Sequence, residues 1–140
     1  MEIDLLKNYP KSKRDPHARQ DALTDEMRTV ARQFGQEFFD GDRLYGYGGF
    51  NYFSRFWQPV IPDFIRHFQL TENSKVLDVG CAKGFMLYDF TQVLPGITVQ
   101  GVDISEYAIT HAKPEVQAQL TVGNAVSLPY DDNSFDAVFS

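Results

Sequence analysis

Three loops that could bind a nucleoside follow three short apolar segments of the sequence. Loop 80–84 contains two glycines and lies just after Asp78, Asp103 ends the second apolar segment, and Asn124 and Ala125 follow the third. A glycine turn lets the backbone approach a ligand, because no side chain intervenes. An acid about 20 residues after such a loop can accept hydrogen bonds from both hydroxyl groups of a ribose. The pattern therefore predicts an adenosine-type pocket.

The composition of loop 80–84 argues against a dinucleotide. The Gly-x-Gly-x-x-Gly fingerprint places a pyrophosphate at a helix N-terminus, whereas Ala82 occupies the middle glycine position here. The carboxylate of Asp78 would repel a pyrophosphate and attract an ammonium or sulfonium group. S-adenosylmethionine carries both positive groups and has no phosphate. The residues thus favour S-adenosylmethionine, with an NAD-dependent dehydrogenase as a distant alternative.

The elements that must position these loops alternate between strand and helix. Apolar stretches predict strands over 75–80, 97–103, 120–122 and 135–139, and helical spacing predicts helices over 84–94 and from a Ser105 cap to about 112. Such alternation is typical of an α/β fold with a parallel sheet and flanking helices. Ligands bind at the carboxyl ends of strands in such sheets.

A different pattern precedes the first strand. Residues 1–20 predict a mobile or draped leader, and residues 21–73 predict helices that form a lid or cap before the domain at 74–140. Apolar spacing predicts one helix from Asp21 to Phe39. Two prolines forbid a single helix further on, so we expect a break near Gln58 with Pro59 opening the next helix. Core packing is the simplest explanation of the aromatic residues in this part.

Composition and charge exclude several classes of protein. The chain has 140 residues, 43% of them hydrophobic, a single cysteine and a net charge of −6 that lies entirely in residues 71–140. These values exclude a disordered chain and a disulfide scaffold, and the acidic half makes nucleic acid an unfavourable partner. The three histidines show no metal-ligand spacing. With no membrane-length apolar run and no signal-like N-terminus, we expect neither a membrane partner nor a metal, and a cytoplasmic location.

Three successive motifs are similar to those of class I S-adenosylmethionine-dependent methyltransferases, which have a Rossmann-like sheet. They are Val-Leu-Asp-Val-Gly-Cys-Ala-Lys-Gly at 76–84, Gly-Val-Asp-Ile-Ser at 101–105, and the stretch 123–139 that begins Gly-Asn-Ala and ends Phe-Asp-Ala-Val-Phe. The resemblance covers about residues 73–140. It implies S-adenosylmethionine as cofactor and methyl transfer, and we expect a small-molecule acceptor.

The resemblance also implies a role for particular residues. Asp103 would hold the ribose hydroxyls, and Ile104 would pack on the adenine. Asn124, where many relatives have Asp, would meet the adenine edge together with Ala125, and Ser140 would lie near the reacting methyl group. The loop beneath the methionine part of the cofactor would be lined by Asp78, Gly80, Cys81, Ala82 and Gly84.

Tyr47 lies in a glycine-rich aromatic stretch before the first strand. In similar enzymes such a segment covers the cofactor, so its ring could face the sulfonium in a cation–π contact. Plain packing of the ring is the alternative. No residue of the sequence is identified as a general base, and the small buried Cys81 has no histidine partner that would make it a nucleophile.

The resemblance implies a seven-stranded sheet, whereas four strands are predicted here. We therefore expect a fragment of a longer enzyme, truncated after the fourth strand, whose exposed strand edge favours self-association. A non-catalytic module that binds the cofactor or a partner is the alternative to a methyltransferase.

Overall fold

The structure is a computed structural model that describes residues 2–13, 17, 20–21 and 23–140. Six helices and four strands follow one another in these ranges, together with one short 3₁₀ turn at Gln117–Gln119. In chain order they are α1 (Asp25–Ala31), α2 (Gln36–Asp40), α3 (Ser54–Trp57), α4 (Ile61–Phe68), β1 (Lys75–Val79), α5 (Phe85–Val93), β2 (Thr98–Asp103), α6 (Glu106–Thr110), β3 (Leu120–Val122) and β4 (Ala137–Phe139).

The four strands form one parallel sheet in the order β3-β2-β1-β4. Asp78 pairs with Gly101 of β2 and with Phe139 of β4, so the carboxyl ends of neighbouring strands meet at the same edge. The predicted α/β fold with flanking helices and preceding N-terminal helices is confirmed. Among the described strands β4 has a partner on one side only, and Val138 is 54% exposed there; self-association through this edge stays a prediction.

The core lies between the sheet and the helices around α5. This helix packs on β2 and against α3 and α4, and Phe90 on it is fully buried. The ring of Phe139 stacks on Phe90 with 5.6 Å between centroids, and Phe64 meets Phe139 at 5.1 Å. Part of the N-terminal aromatic stretch therefore packs in the core as predicted, although Phe53 is 53% exposed.

The single helix predicted over 21–39 is wrong. α1 ends at Ala31 and α2 begins at Gln36, because Phe34 adopts a positive φ of 50° and breaks the helix. The Ser105 hydroxyl donates a hydrogen bond to the carbonyl oxygen of Phe34, a contact between segments 71 residues apart. A long-range contact therefore accompanies the break, and local apolar spacing could not reveal it.

The predicted break near Gln58 is confirmed, but the prediction that Pro59 opens the next helix is wrong. α3 ends at Trp57 and α4 begins at Ile61, so Pro62 rather than Pro59 lies in the first turn of the second helix. A proline there loses no hydrogen bond, because the first amides of a helix have no partner within it.

The predicted leader over 1–20 falls partly on residues 1, 14–16 and 18–19, which lie outside the described residues. In its described part, Leu5 and Tyr9 pack against the core, and the Asn8 side chain donates to Asp63 Oδ2 at 2.7 Å. The domain boundaries at 20 and 73 stay predictions.

Within the described ranges, no helix is long and apolar enough to cross a bilayer.

Two glycines of loop 80–84 should respond differently to alanine. Both have positive φ, but a Cβ at Gly84 would lie 2.9 Å from side-chain atoms of Leu120 and Val116, whereas no described atom lies within 4 Å of one at Gly80. We expect Gly84→Ala to lower the free energy of unfolding by about 2–4 kcal/mol, through strain and overpacking. Gly80→Ala should cost only the strain, about 1–2 kcal/mol. Urea denaturation measures both, and equal losses would contradict the packing role of Gly84.

Candidate functional site

A cavity of about 480 Å³ opens at the carboxyl ends of β1, β2 and β3. This volume is in the range of small-molecule sites. We call it the first cavity. Asp103 is the only charged residue in its described walls, so they offer no cation to a phosphate. The lining residues are Phe34, Phe38, Phe39, Tyr47, Val79, Gly80, Ala82, Val102, Asp103, Ile104, Gly123, Asn124, Ala125 and Ser140.

Asp103 is held rigidly at the end of β2. Its Oδ2 accepts a hydrogen bond from the backbone N–H of Ala82 at 2.7 Å, and its Oδ1 accepts one from the N–H of Ser105 at 2.8 Å. Each carboxylate oxygen has two lone pairs. One acceptor position therefore remains on each oxygen, a pair that suits the two vicinal hydroxyls of a ribose.

Asp78 is buried at the end of β1, with 8% of its surface exposed, and no hydrogen bond joins its carboxyl group to a described residue. Burial raises the pKa of Asp78 to about 7, with repulsion from Asp103 as the second cause. A carboxylate in this position gains from a cationic ligand, which would restore its charge and lower its pKa.

The raised pKa of Asp78 predicts that stability falls as pH rises. Between the ordinary pKa of 3.8 and about 7 the unfolded chain has lost this proton while the folded chain keeps it. The free energy of unfolding then falls by at most about 1.4 kcal/mol per pH unit through this group. We expect Asp78→Asn to remove that part of the pH dependence, as measured by urea denaturation from pH 4.5 to 7.5. The exposed Asp132 provides the control, since Asp132→Asn should leave the slope unchanged; identical slopes in all three proteins would refute the assignment.

A second cavity, of about 390 Å³, lies beside the first. The two share a wall made of Tyr47, Val79, Gly80, Ala82 and Ser140. Most of its other walls are apolar or aromatic, and Asp78 is the only charged residue in the part of the lining that the structure describes. The shared residues place the second cavity, with Asp78 and its apolar side chains, directly beside the first.

Residues 34–52, here called the lid segment, cover both cavities. Tyr47 lies in both walls, 48% exposed, and its ring is 4.4 Å from Phe50 and stacks on Phe39 at 5.7 Å. Burial raises the pKa of Tyr47, and Asp103 adds to the effect, so the phenol is neutral. The ring contacts of Tyr47 with Phe39 and Phe50 are of the kind that the packing alternative predicts, and its contact with a sulfonium stays a prediction.

A buried lysine outside the predicted site residues ties the lid segment to loop 80–84. Lys83 is 5% exposed, and its Nζ lies 2.7 Å from Asp40 Oδ2 and 2.8 Å from the carbonyl oxygen of Phe50. Tyr107 donates to the same Asp40 oxygen at 2.6 Å. Burial alone would raise the pKa of Asp40, but the hydrogen bonds from Lys83 and Tyr107 outweigh it and lower the pKa. The sequence signal for this contact is Lys83 itself. It is a positive charge within a loop that is predicted to bind a cationic ligand, so it requires an acidic partner elsewhere in the chain.

Some residues of loop 80–84 line the cavities, and others face the core. Gly80 and Ala82 line both cavities, whereas Cys81 lines the second cavity only, and burial raises the pKa of its thiol. Gly84, expected beneath the methionine part, lines neither cavity and faces Leu120 instead. The other predicted site residues do line a cavity, which brings together side chains from four strand ends and the lid segment.

No group of three or more potential metal ligands occurs in the described ranges.

Known proteins share both the sequence and the fold of this region. Residues 76–140 match a family model described as "Methyltransferase domain". A demethylmenaquinone methyltransferase of Symbiobacterium thermophilum is 36% identical over 90 residues, which are 59% of this chain and 36% of that protein. A 24-methylenesterol C-methyltransferase 2 of Arabidopsis thaliana is 30% identical over 79 residues, 51% of this chain and 22% of that protein.

Solved structures also resemble this chain in fold. The MccD protein superposes with a TM-score of 0.50 at 30% identity over 56% of this chain and 37% of that one. A chain from a complex of the Haloferax volcanii Trm112 methyltransferase activator with a methyltransferase superposes with a TM-score of 0.51 over 84% of this chain and 47% of that one; at 23% identity it shows the fold alone. This chain spans about a third of the length of the first curated relatives it matches.

Proposed function

We propose that this chain, which matches a methyltransferase-domain family model over residues 76–140, is part of a class I S-adenosylmethionine-dependent methyltransferase that binds S-adenosylmethionine and transfers its methyl group to a small molecule. The observation that carries the proposal is the buried Asp78, which has no cationic neighbour in the described walls of either cavity. A phosphate-free, positively charged nucleoside satisfies that carboxylate, and a dinucleotide does not.

The two cavities accommodate the parts of this cofactor separately. The free acceptor positions of Asp103 suit the ribose hydroxyls, and the exposed side chain of Ile104 offers an apolar surface to the adenine. Asn124 already accepts the N–H of Val126 with its Oδ1, which leaves its NH₂ group to donate to a ring nitrogen. The methionine part would extend past Gly80 to Asp78.

Bound S-adenosylmethionine supplies a methyl group already activated by its sulfonium. What remains for the protein is alignment of the acceptor in line with the sulfur–carbon bond and exclusion of water. The shared wall of Tyr47, Gly80 and Ser140 lies where the two ligands would meet. The lid segment, held by the buried Lys83, contributes Tyr47 to this wall.

Calorimetry with S-adenosylmethionine and S-adenosylhomocysteine tests the cofactor half of the proposal, and NAD is the control. We expect both sulfur compounds to bind and NAD not to bind; binding of NAD alone would overturn the proposal. Transfer of a labelled methyl group to a panel of phenols, quinols and sterols then tests turnover.

Cofactor binding without any turnover would favour the second candidate, a non-catalytic cofactor-binding module.

A further inference from the structure

We propose that the second cavity binds the methyl acceptor, and that this acceptor is an uncharged compound with an apolar ring system. The inference rests on the proposed function and adds the chemical class of the substrate. The residues that carry it lie in the N-terminal segment (residues 4–9), the lid segment, α3, α4, α5 and β4.

The walls of the second cavity select for apolar surface. Apolar or aromatic side chains surround it: Leu5, Leu6, Tyr9, Tyr47, Phe50, Trp57, Phe64, Phe68, Phe85, Met86 and Phe139. Aromatic rings that line a pocket favour a planar apolar ligand, which they contact edge to face or in offset stacks. The cavity volume of about 390 Å³ is in the range of small-molecule sites, and the methionine part of the cofactor would take up the part of it next to Asp78.

Charge in the cavity excludes an anionic acceptor. Asp78 is the only charged lining residue, and no lysine, arginine or histidine of the described chain lines the walls. An anion placed here would lose its hydration, find no cation and lie near a carboxylate. A cationic acceptor would compete with the cofactor for Asp78. A neutral acceptor meets neither obstacle.

The N-terminal segment contributes Leu5, Leu6 and Tyr9 to the walls of the cavity. The ring of Tyr9 lies 5.0 Å from Trp57 and 5.7 Å from Phe56, and burial raises the pKa of Tyr9, so its phenol stays neutral. Leu6 lies at the rim, 48% exposed, and also lines the cavity. This segment is therefore part of the acceptor site and not merely a leader.

Two probes with the same rings test the charge preference: 4-phenylphenol, which is neutral, and biphenyl-4-carboxylate. Calorimetry with the 140-residue chain saturated with S-adenosylhomocysteine at pH 8 should show the phenol binding at least about ten-fold more tightly. Equal or tighter binding of the carboxylate, or no binding of the phenol, would overturn the inference while leaving the proposed function intact. Failure of S-adenosylhomocysteine itself to bind would instead refute the proposed function.

Two matched variants test the location. Leu6→Asp introduces a charge at the rim of the second cavity, and Ile3→Asp introduces one at a side chain of the same exposure, 49%, that does not line it. We expect Leu6→Asp to weaken 4-phenylphenol binding about five-fold or more and Ile3→Asp to leave it unchanged. Neither variant should alter binding of S-adenosylhomocysteine. If the two variants affect the phenol equally, the probe binds elsewhere and the inference fails.

Discussion

Asp103→Ala should weaken the binding of S-adenosylhomocysteine by about ten- to hundred-fold, which corresponds to about 1.4–2.8 kcal/mol. The variant removes the proposed acceptor of both ribose hydroxyls. It also removes the acceptor of the Ala82 and Ser105 amides, so loop 80–84 loses a contact to β2. Calorimetry gives the affinity, and thermal unfolding shows how much of the loss comes from the loop.

Asp103→Asn is an intermediate case. The asparagine keeps one acceptor oxygen, so one of the two backbone amides faces an NH₂ donor instead of an acceptor, and we expect an intermediate affinity together with an intermediate loss of thermal stability. Asp132→Ala removes an exposed acid and is the control. An Asp103→Ala variant that stays folded and binds as tightly as the unchanged protein would show that the nucleoside does not lie over β2.

Lys83→Met should destabilise the folded protein strongly. It retains an apolar stem but leaves Asp40 without its cation in a largely buried network, and breaking a buried pair in this way costs about 3–5 kcal/mol. Asp40 is a quarter exposed, so the lower end of the range is expected. Chemical denaturation followed by circular dichroism measures the loss.

A double variant distinguishes the ion pair from simple packing. Lys83→Met combined with Asp40→Asn removes both charges, so it should be more stable than Lys83→Met alone. Lys7→Met is the control: Lys7 is 62% exposed and lies 4.0 Å from Asp63, and an exposed pair contributes less than about 1 kcal/mol. A loss below about 1 kcal/mol in Lys83→Met would show that the lid segment does not depend on this network.

The strands, their order of appearance and the residues at their ends could be predicted, because each depends on a local pattern. The alternation of apolar segments placed β1, β2 and β3 within one residue of their observed bounds. Asp78, Asp103 and Asn124 follow from this placement, since the carboxyl ends of parallel strands share an edge. The ribose and ammonium roles of these residues stay predictions.

What the sequence could not show depends on contacts between distant segments. Lys83 and Asp40 are 43 residues apart, and no spacing rule connects a loop lysine with an acid at the end of α2. Gly84 resembles a ligand-binding glycine in its motif, yet its missing side chain makes room for Leu120 of β3. Apolar periodicity likewise continues through Phe34, although its carbonyl is held by Ser105 in a conformation that ends α1.

The two coverings of the site differ in how firmly they are held. The lid segment is joined to loop 80–84 through the buried Lys83, whereas the N-terminal segment is joined to α4 through Asp63 by the exposed Asn8 and Lys7. Exposed ionic contacts weaken as salt is added, and buried ones do so far less. We therefore expect added salt to speed amide hydrogen exchange in residues 4–9 only modestly, since Leu5 and Tyr9 still pack against the core, and to leave exchange in the lid segment unchanged.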